Sequence, residues 1–311
     1  MTPKPPRPLL TLSSGADDQV PLATAMIDSG RWYPYVISVR QFLNGNRLHT
    51  RTAVVPEEID ILWSAETATG ERLLDLALAA DCLWRGDSQL RARVLVPYLP
   101  YSRSNVTDGH HSLGAAALFR LLDAIPAISD YAIFELHAPE LAGFSARPVR
   151  NVQTISDIAA WARDLDGIDM VVAPDRGRAA ASLALADRLG VPVEVLLKRR
   201  DGHADRAVAL RLDRPAVGGA RVLIFDDELT TGATLTAAVE TLTEAGAKSV
   251  HAVVARSFAP APVVEGLLAL PLLDTLATTV LTGAEHVRPF TAHGLPVLSL
   301  PAAIAGLDEP A

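Results

Sequence analysis

Cysteine is almost missing from this 311-residue chain, in which Cys82 stands alone. An intramolecular disulfide is therefore excluded. Cys82 lies in the apolar helical stretch "LLDLALAADCLW", where it reads as a reduced, buried thiol rather than a nucleophile. Positive charge is also in short supply: 28 Lys and Arg face 36 Asp and Glu, for a net charge of −8. Such a balance argues against a general nucleic-acid binder, so an anionic ligand must be met by local cations, backbone N–H groups or a metal ion. Long hydrophobic runs are missing too. None approaches the roughly 18 apolar residues of a membrane span, and the Pro-rich opening "MTPKPPRPLL" lacks the apolar core of a signal peptide. A cytoplasmic protein without a membrane partner is expected. With 49% hydrophobic and 21% charged residues, the composition is that of a globular protein with ample cores, not of a disordered chain.

What is present is a rhythm of strand, loop and helix. Residues 9–12 (LLTL) read as a strand and "YPYVISVRQF" as another, followed by the Asn44-Gly45 hairpin turn, in which both residues tolerate positive φ. "IDILWSAE" is the next strand. Helical spacing over residues 70–85 predicts a stripe of Leu73, Leu74, Ala77, Leu78 and Cys82. "RARVLVPYLP" reads as a buried strand, and "YSRSNVTDGHH" as a polar loop. A helix with Leu113, Ala116, Ala117 and Leu121 on one face comes next, and then the strand "SDYAIFELH", ending at His137. Periodicity lapses around Pro148, which places a domain joint in 147–157 and divides the chain into domains at 1–150 and 151–311. The second half repeats the rhythm. "IDMVVAPD" is a strand and "GRAAASLALADRLG" a helix closed by Gly190. "VPVEVLL" is a strand that ends in Lys198-Arg199-Arg200. Apolar strands alternating with helices predict an α/β protein of two tandem domains, each a parallel sheet flanked by helices. The tetrapeptide "ARVL" occurs in both halves, at 92–95 and 220–223.

The most informative stretch is "VLIFDDELTTGATL", residues 222–235. An apolar strand in an open parallel sheet delivers its carboxyl end to the ligand face, so Asp226 and Asp227 emerge there. Two adjacent carboxylates can hold a metal or accept hydrogen bonds from a vicinal diol. The segment that follows enters a helix N-terminus, whose unpaired N–H groups and positive dipole end favour a phosphate. Gly232 lets the backbone approach closely, the N–H groups of Thr231, Gly232, Ala233 and Thr234 face the anion, and Thr230, Thr231 and Thr234 add hydroxyls. No Gly-Lys-Ser/Thr follows, so this is not a Walker loop. A diol holder beside a phosphate cradle describes a ribose 5-phosphate site.

This stretch resembles the ribose-phosphate loop of the type I phosphoribosyltransferase fold. Taken in order with "RQFLNGN", "VLVPYLPYSR", "FELHAPELAGF", "VVAPDRGRAAASLALADRLG", "LLKRR" and "EAGAKSVHAVVARSF", it is similar to the ribose-phosphate pyrophosphokinase family along nearly the whole chain. The resemblance implies Mg²⁺-dependent transfer of the diphosphoryl group of ATP to ribose 5-phosphate, giving phosphoribosyl pyrophosphate and AMP. It also implies a homo-oligomer in which the hairpin reaches a neighbour's nucleotide site. By resemblance Lys198 matches the family's catalytic lysine and Arg200 its companion arginine. His137 and Asp175 match its magnesium-associated pair, and Arg103 an arginine that contacts ATP, with Ser104 beside it. Phe42, Asn44 and Asn46 occupy the nucleotide-contacting hairpin.

The departures fall on the nucleotide half. The family hairpin reads Phe-Ser-Asp-Gly-Glu, whereas Phe42-Leu43-Asn44-Gly45-Asn46 replaces both carboxylates with carboxamides. Arg-Gln-Asp becomes Arg103-Ser104-Asn105, the usual Asp of the ribose loop is Thr230, and "ARSF" replaces a Thr-His-Gly segment. Three functions stay open from sequence: a divergent pyrophosphokinase, a transferase that consumes the activated sugar, and a catalytically silent partner of an active synthetase.

Overall fold

A computed structural model describes residues 5–12, 21–67, 69–199, 209–212 and 217–307. Among these, one compact unit runs to Gln153 and takes back residues 304–307, while the other holds Thr154–Ala303.

In the first unit the chain runs β1 (Arg7–Leu12), α1 (Pro21–Asp28), β2 (Trp32–Tyr35), β3 (Ile37–Gln41), β4 (Arg47–Arg51) and β5 (Glu58–Trp63). It continues with α2 (Thr69–Trp84), β6 (Arg91–Val96), α3 (Gly114–Asp123), β7 (Ile128–Phe134) and β8 (Val149–Val152). Six strands form a parallel sheet in the order β2-β1-β5-β6-β7-β8. The stretch expected as one strand, "YPYVISVRQF", is two. β2 ends at Tyr35 because it pairs with β1, whereas β3 leaves the sheet to form a separate antiparallel ribbon with β4.

The second unit contains α4 (Ile155–Arg163), β9 (Met170–Ala173), α5 (Ala179–Leu189), β10 (Val193–Arg199), β11 (Ala209–Leu212), β12 (Arg221–Leu229) and α6 (Ala233–Glu244). Then come β13 (Ser249–Ser257), α7 (Ala261–Leu268), β14 (Leu273–Thr279), α8 (Ala284–Ala292) and β15 (Val297–Leu298), and α9 (Pro301–Gly306) spans the division. The sheet order is β11-β10-β9-β12-β13-β14-β15, parallel except for the edge pair β10–β11, which is antiparallel. The first "ARVL" lies within β6 and the second opens β12, each the fourth strand of its sheet. Both units are therefore α/β layers built on a mainly parallel sheet. Central strands covered on both faces need continuous apolar residues, and β9 and β13 are buried along their whole lengths.

The helices of the first unit bury a different stripe from the expected one. On α2 the buried residues are Leu76, Ala79, Ala80 and Leu83, with Leu74 exposed and Cys82 only half-buried. On α3 they are Ala115, Ala116, Leu118, Phe119 and Leu122, with Leu121 exposed. Both helices are apolar on more than one face, so two stripes satisfy the i, i+3, i+4, i+7 spacing. Burial of the larger ring decides the second case, since Phe119 packs edge-on to Tyr131 with ring centres 5.7 Å apart. On α6, by contrast, the expected stripe of Leu235, Ala238, Val239 and Leu242 is the buried one.

Candidate active site

The apolar run of β12 does not stop at the aspartates. The strand spans nine residues, Arg221–Leu229, and carries both acids within it. Its register on β13 continues past them, with Asp226 opposite Val254, Glu228 opposite Arg256 and Leu229 opposite Ser257. Asp226 is half-buried and Asp227 only 4% exposed. A carboxylate oxygen of Asp226 accepts the N–H of Asp227 at 2.8 Å. Burial first, and the neighbouring Asp227 charge second, push the Asp226 carboxyl above the ordinary carboxylate range, while the positive charge of Arg178 pulls it back.

After Leu229 the chain turns through Thr230 and Thr231 to Gly232, which has φ 76° and caps α6. Only glycine takes this conformation freely. A Cβ there would also meet the Val263 Cγ1 at 3.0 Å, so the turn is held by both backbone and packing. Thr231 and Ala233 are exposed, Thr230 and Thr234 half-buried. The Thr231 hydroxyl accepts the Ala233 N–H at a long 3.4 Å. The first turn of α6 contains no acidic residue, leaving the positive end of the helix without a carboxylate of its own.

Three adjacent strands, β10, β9 and β12, bring further residues to the same carboxyl edge. Their registers pair Val195 with Ala173 and Val172 with Ile224. Lys198, three residues beyond Val195, is in β10 opposite Leu210 of β11. Arg200 lies outside the described residues. Asp175, two residues past the end of β9, caps a short 3₁₀ turn by accepting the Arg178 N–H at 3.2 Å. Arg178 itself is 7% exposed, and its guanidinium carbon sits 4.8 Å from the ring centre of Phe225, the residue before the acid pair. Sequence reasoning passed over Arg178. In "PDRGRAAAS" an arginine at a helix start reads as a solvated residue, and the sole signal was its position three residues after a capping Asp.

The residues expected at the nucleotide, and His137, all belong to the first unit. Arg103 follows β6, and His137 follows β7, which stops three residues earlier than expected, at Phe134. Glu135 there takes φ 44° and turns the chain out of the ladder. His137 is half-buried and Arg103 exposed. Ser104 is engaged locally: its hydroxyl accepts the Gly114 N–H at 3.0 Å and donates to the Ser112 carbonyl at 2.9 Å, stapling the intervening loop. The β3–β4 ribbon ends in a tight turn with Gly45 at φ 85°. Phe42 donates its N–H to the Asn46 carbonyl at 2.8 Å, and the Asn44 side-chain oxygen accepts the Asn46 N–H at 3.1 Å. Phe42 is exposed and carries the Arg40 guanidinium 5.1 Å from its ring centre. Among the described residues no group of three or more His, Cys, Asp and Glu is placed to hold a metal. Nor is any helix long and apolar enough to cross a membrane.

Comparison with known proteins agrees with this layout. A model of the phosphoribosyl transferase domain matches residues 149–257, a span that includes β8 through β13. The chain is similar to the ribose-phosphate pyrophosphokinase of Bacillus caldolyticus, with 26% identity over 272 residues, covering 83% of this chain and 85% of the relative. Similarity to the ribose-phosphate pyrophosphokinase of Thermococcus kodakarensis is 29% over 216 residues, covering 69% and 75%. In fold it resembles the crystal structure of phosphoribosylpyrophosphate synthetase from Mycobacterium smegmatis, with a TM-score of 0.80 and 23% identity over 97% of this chain and 98% of the other.

Proposed function

Since the chain belongs to the ribose-phosphate pyrophosphokinase family, with two phosphoribosyltransferase-type units, we propose that it transfers the diphosphoryl group of ATP to the 1-hydroxyl of ribose 5-phosphate. The anomeric oxygen forms a bond to the β-phosphorus, the bond from that phosphorus to the bridging oxygen of the α-phosphate breaks, and AMP leaves. The hydroxyl proton is released. The products are phosphoribosyl pyrophosphate and AMP. The observation that carries this reading is the carboxyl edge of β10, β9 and β12, which gathers Lys198, Asp175, the Asp226–Asp227 pair and the N-terminus of α6.

Each part has a physical role. Asp226 and Asp227 accept hydrogen bonds from the two ribose hydroxyls, and ionised acceptors make such bonds roughly twice as strong as neutral ones. The N–H groups of Thr231, Gly232, Ala233 and Thr234 hold the 5-phosphate, assisted by the hydroxyls of Thr230, Thr231 and Thr234. Lys198, with Arg200, supplies positive charge where the moving group develops negative charge, which is the main demand of phosphoryl-type transfer. Phe42, Asn44, Asn46, Arg103 and Ser104 form the nucleotide half.

Magnesium fits the chemistry of the donors. Asp175 would offer a hard carboxylate oxygen, one of its oxygens already accepting the Arg178 N–H, and His137 is carried over by family resemblance alone. So sparse a set suits an ion that takes most of its ligands from phosphates and water. When bound, the ion neutralises charge on the polyphosphate oxygens.

A coupled assay with ATP, Mg²⁺ and ribose 5-phosphate tests the proposal by release of AMP. Turnover dependent on all three is expected. Absence of AMP release, with intact binding of phosphoribosyl pyrophosphate, favours a sugar-consuming transferase, the reading that Thr230 suits. Absence of both favours a silent partner.

The hairpin gives a second expectation. The Asn44 side-chain oxygen is committed to the turn, and both carboxamides offer donors where the family offers acceptors. Discrimination for ATP over GTP and CTP should therefore be weak. The double change Asn44→Asp and Asn46→Glu should improve kcat/KM for ATP relative to GTP by about two- to tenfold, the worth of one neutral hydrogen bond. An unchanged ranking leaves the hairpin as a turn alone. Its exposed Phe42, Leu43 and Leu48 suit burial against a second copy of the chain in a homo-oligomer.

A further inference from the structure

The β3–β4 ribbon turns one face inward. Its register pairs Val39 with His49 and Gln41 with Arg47, and alternation along each strand sets these residues and Ile37 on a common face. All five border one cavity of about 410 Å³, bounded elsewhere by the second half of β1, by Tyr35 and by Asp75 of α2. A space of that size lies within the ordinary range of small-molecule sites, about 300–1,000 Å³. Its lining belongs wholly to the first unit, whereas the ribose loop belongs to the second. The hairpin residues Phe42, Asn44 and Asn46 do not line it.

Much of the wall is aliphatic, from Leu9, Leu10, Leu12, Ile37 and Val39. The charged groups gather where the ribbon meets α2. Arg47 is ion-paired to Asp75, and Glu71 stands 3.7 Å from the same guanidinium. The Nε2 of His49 is 3.8 Å from the other carboxylate oxygen of Asp75, and its Nδ1 is buried with no hydrogen-bond partner among the described residues. Burial holds this imidazole below the ordinary histidine range against the pull of Asp75, so it is uncharged near neutral pH. Polar side chains turned inward cost free energy unless a polar partner meets them. Arg47 and Asp75 keep 23% and 13% of their side chains exposed. One guanidinium has five N–H donors and one carboxylate about four lone-pair sites, so the pair does not saturate itself.

We propose that this cavity binds an uncharged small molecule with an apolar ring and one carboxamide-like edge, whose carbonyl accepts an N–H of Arg47 and whose N–H donates to Asp75. The charges of the lining cancel, one guanidinium against one carboxylate, and Glu71 close by further disfavours an anion. A carboxamide carries its acceptor and donor side by side, as Arg47 and Asp75 carry the complementary groups. Both hydrogen bonds are charge-assisted and roughly twice as strong as neutral ones, while the aliphatic wall takes the ring. The site stands apart from the ribose 5-phosphate reading and does not depend on it.

The test uses the full chain and benzamide as the probe, with benzoate as its anionic isostere. Methyl NMR should show benzamide shifting the signals of Leu10, Leu12, Ile37 and Val39, with a Kd on the order of 1 mM for so small a molecule. Benzoate should bind about tenfold more weakly or worse, and Asp75→Asn should weaken benzamide about tenfold, the worth of one hydrogen bond to a charged group. Val39→Trp, which narrows the cavity and leaves Arg47 and Asp75 in place, should abolish the shifts while the methyl spectrum of the second unit stays that of the parent. Shifts absent from these four residues, or retained in full in Val39→Trp, overturn the site. Benzoate binding as tight as that of benzamide, or undiminished benzamide binding in Asp75→Asn, overturns the ligand class.

Discussion

Asp226→Ala and Asp227→Ala should each weaken ribose 5-phosphate binding by roughly 10- to 150-fold, because a hydrogen bond to a charged group contributes about 1.5–3 kcal/mol. Neither change should unfold the protein. The ionised Asp226 opposes folding, since burial and Asp227 raise its carboxyl above the ordinary range. An acid whose folded pKa is raised contributes stability below its unfolded value, and that contribution is lost as pH climbs from there to the raised value. Asp226→Asn should therefore become more stable relative to the parent as pH rises from about 4. Thermal melting across pH, together with calorimetry of ribose 5-phosphate, checks both halves. Undiminished sugar binding in both alanine variants removes the diol assignment.

Lys198→Ala should lower kcat by about 10²–10³-fold, with a much smaller change in KM, the range observed when a single donor to developing negative charge is removed. The reason is timing. Negative charge on the transferred group is redistributed most in the transition state, so a cation aimed there contributes little to the ground state. Steady-state kinetics with ATP and ribose 5-phosphate varied in turn separates the two parameters. Full turnover in the variant returns Lys198 to an ordinary place on strand β10.

Much of the frame of the candidate site, its strand, turn and helix, was legible in the sequence because its signals are local. The strand, the acid pair, Thr-Thr-Gly-x-Thr and the stripe of α6 all lie within residues 222–242, and each follows from backbone rules acting over a few residues. The two-sheet architecture was legible for the same reason, as strand alternated with helix along the chain. What was not legible depended on contacts between distant segments. The extension of β12 through Asp226 to Leu229 is set by its pairing with β13, which no property of "DDEL" announces. The break between Tyr35 and Ile37 arises because β2 and β3 have different partners. On α2 and α3 the buried stripe was misread, since helices rich in apolar residues on several faces leave the choice to the sheet beneath. Arg178 was missed because the ring that holds it, Phe225, is 47 positions further along the sequence.

The strand that carries the acid pair is bound by β9 as far as Ile224 and by β13 on through Asp226 to Leu229. The backbone of the pair is thus fixed by folding itself, and on the proposed reading a sugar does not have to order it on arrival. Entropy that a loop-borne site would lose at each encounter has already been lost once, for the lifetime of the fold. Rigidity of this kind has a second effect, on selectivity. Acceptors that do not shift reward a pentose whose two hydroxyls are cis and correctly spaced, and they leave a buried charge unmet when a hydroxyl is missing or inverted. The Thr230–Thr234 turn, by comparison, offers backbone N–H groups to any phosphate that reaches it. Under the proposed function, discrimination among sugars falls to the sheet and capture of the phosphate to the loop.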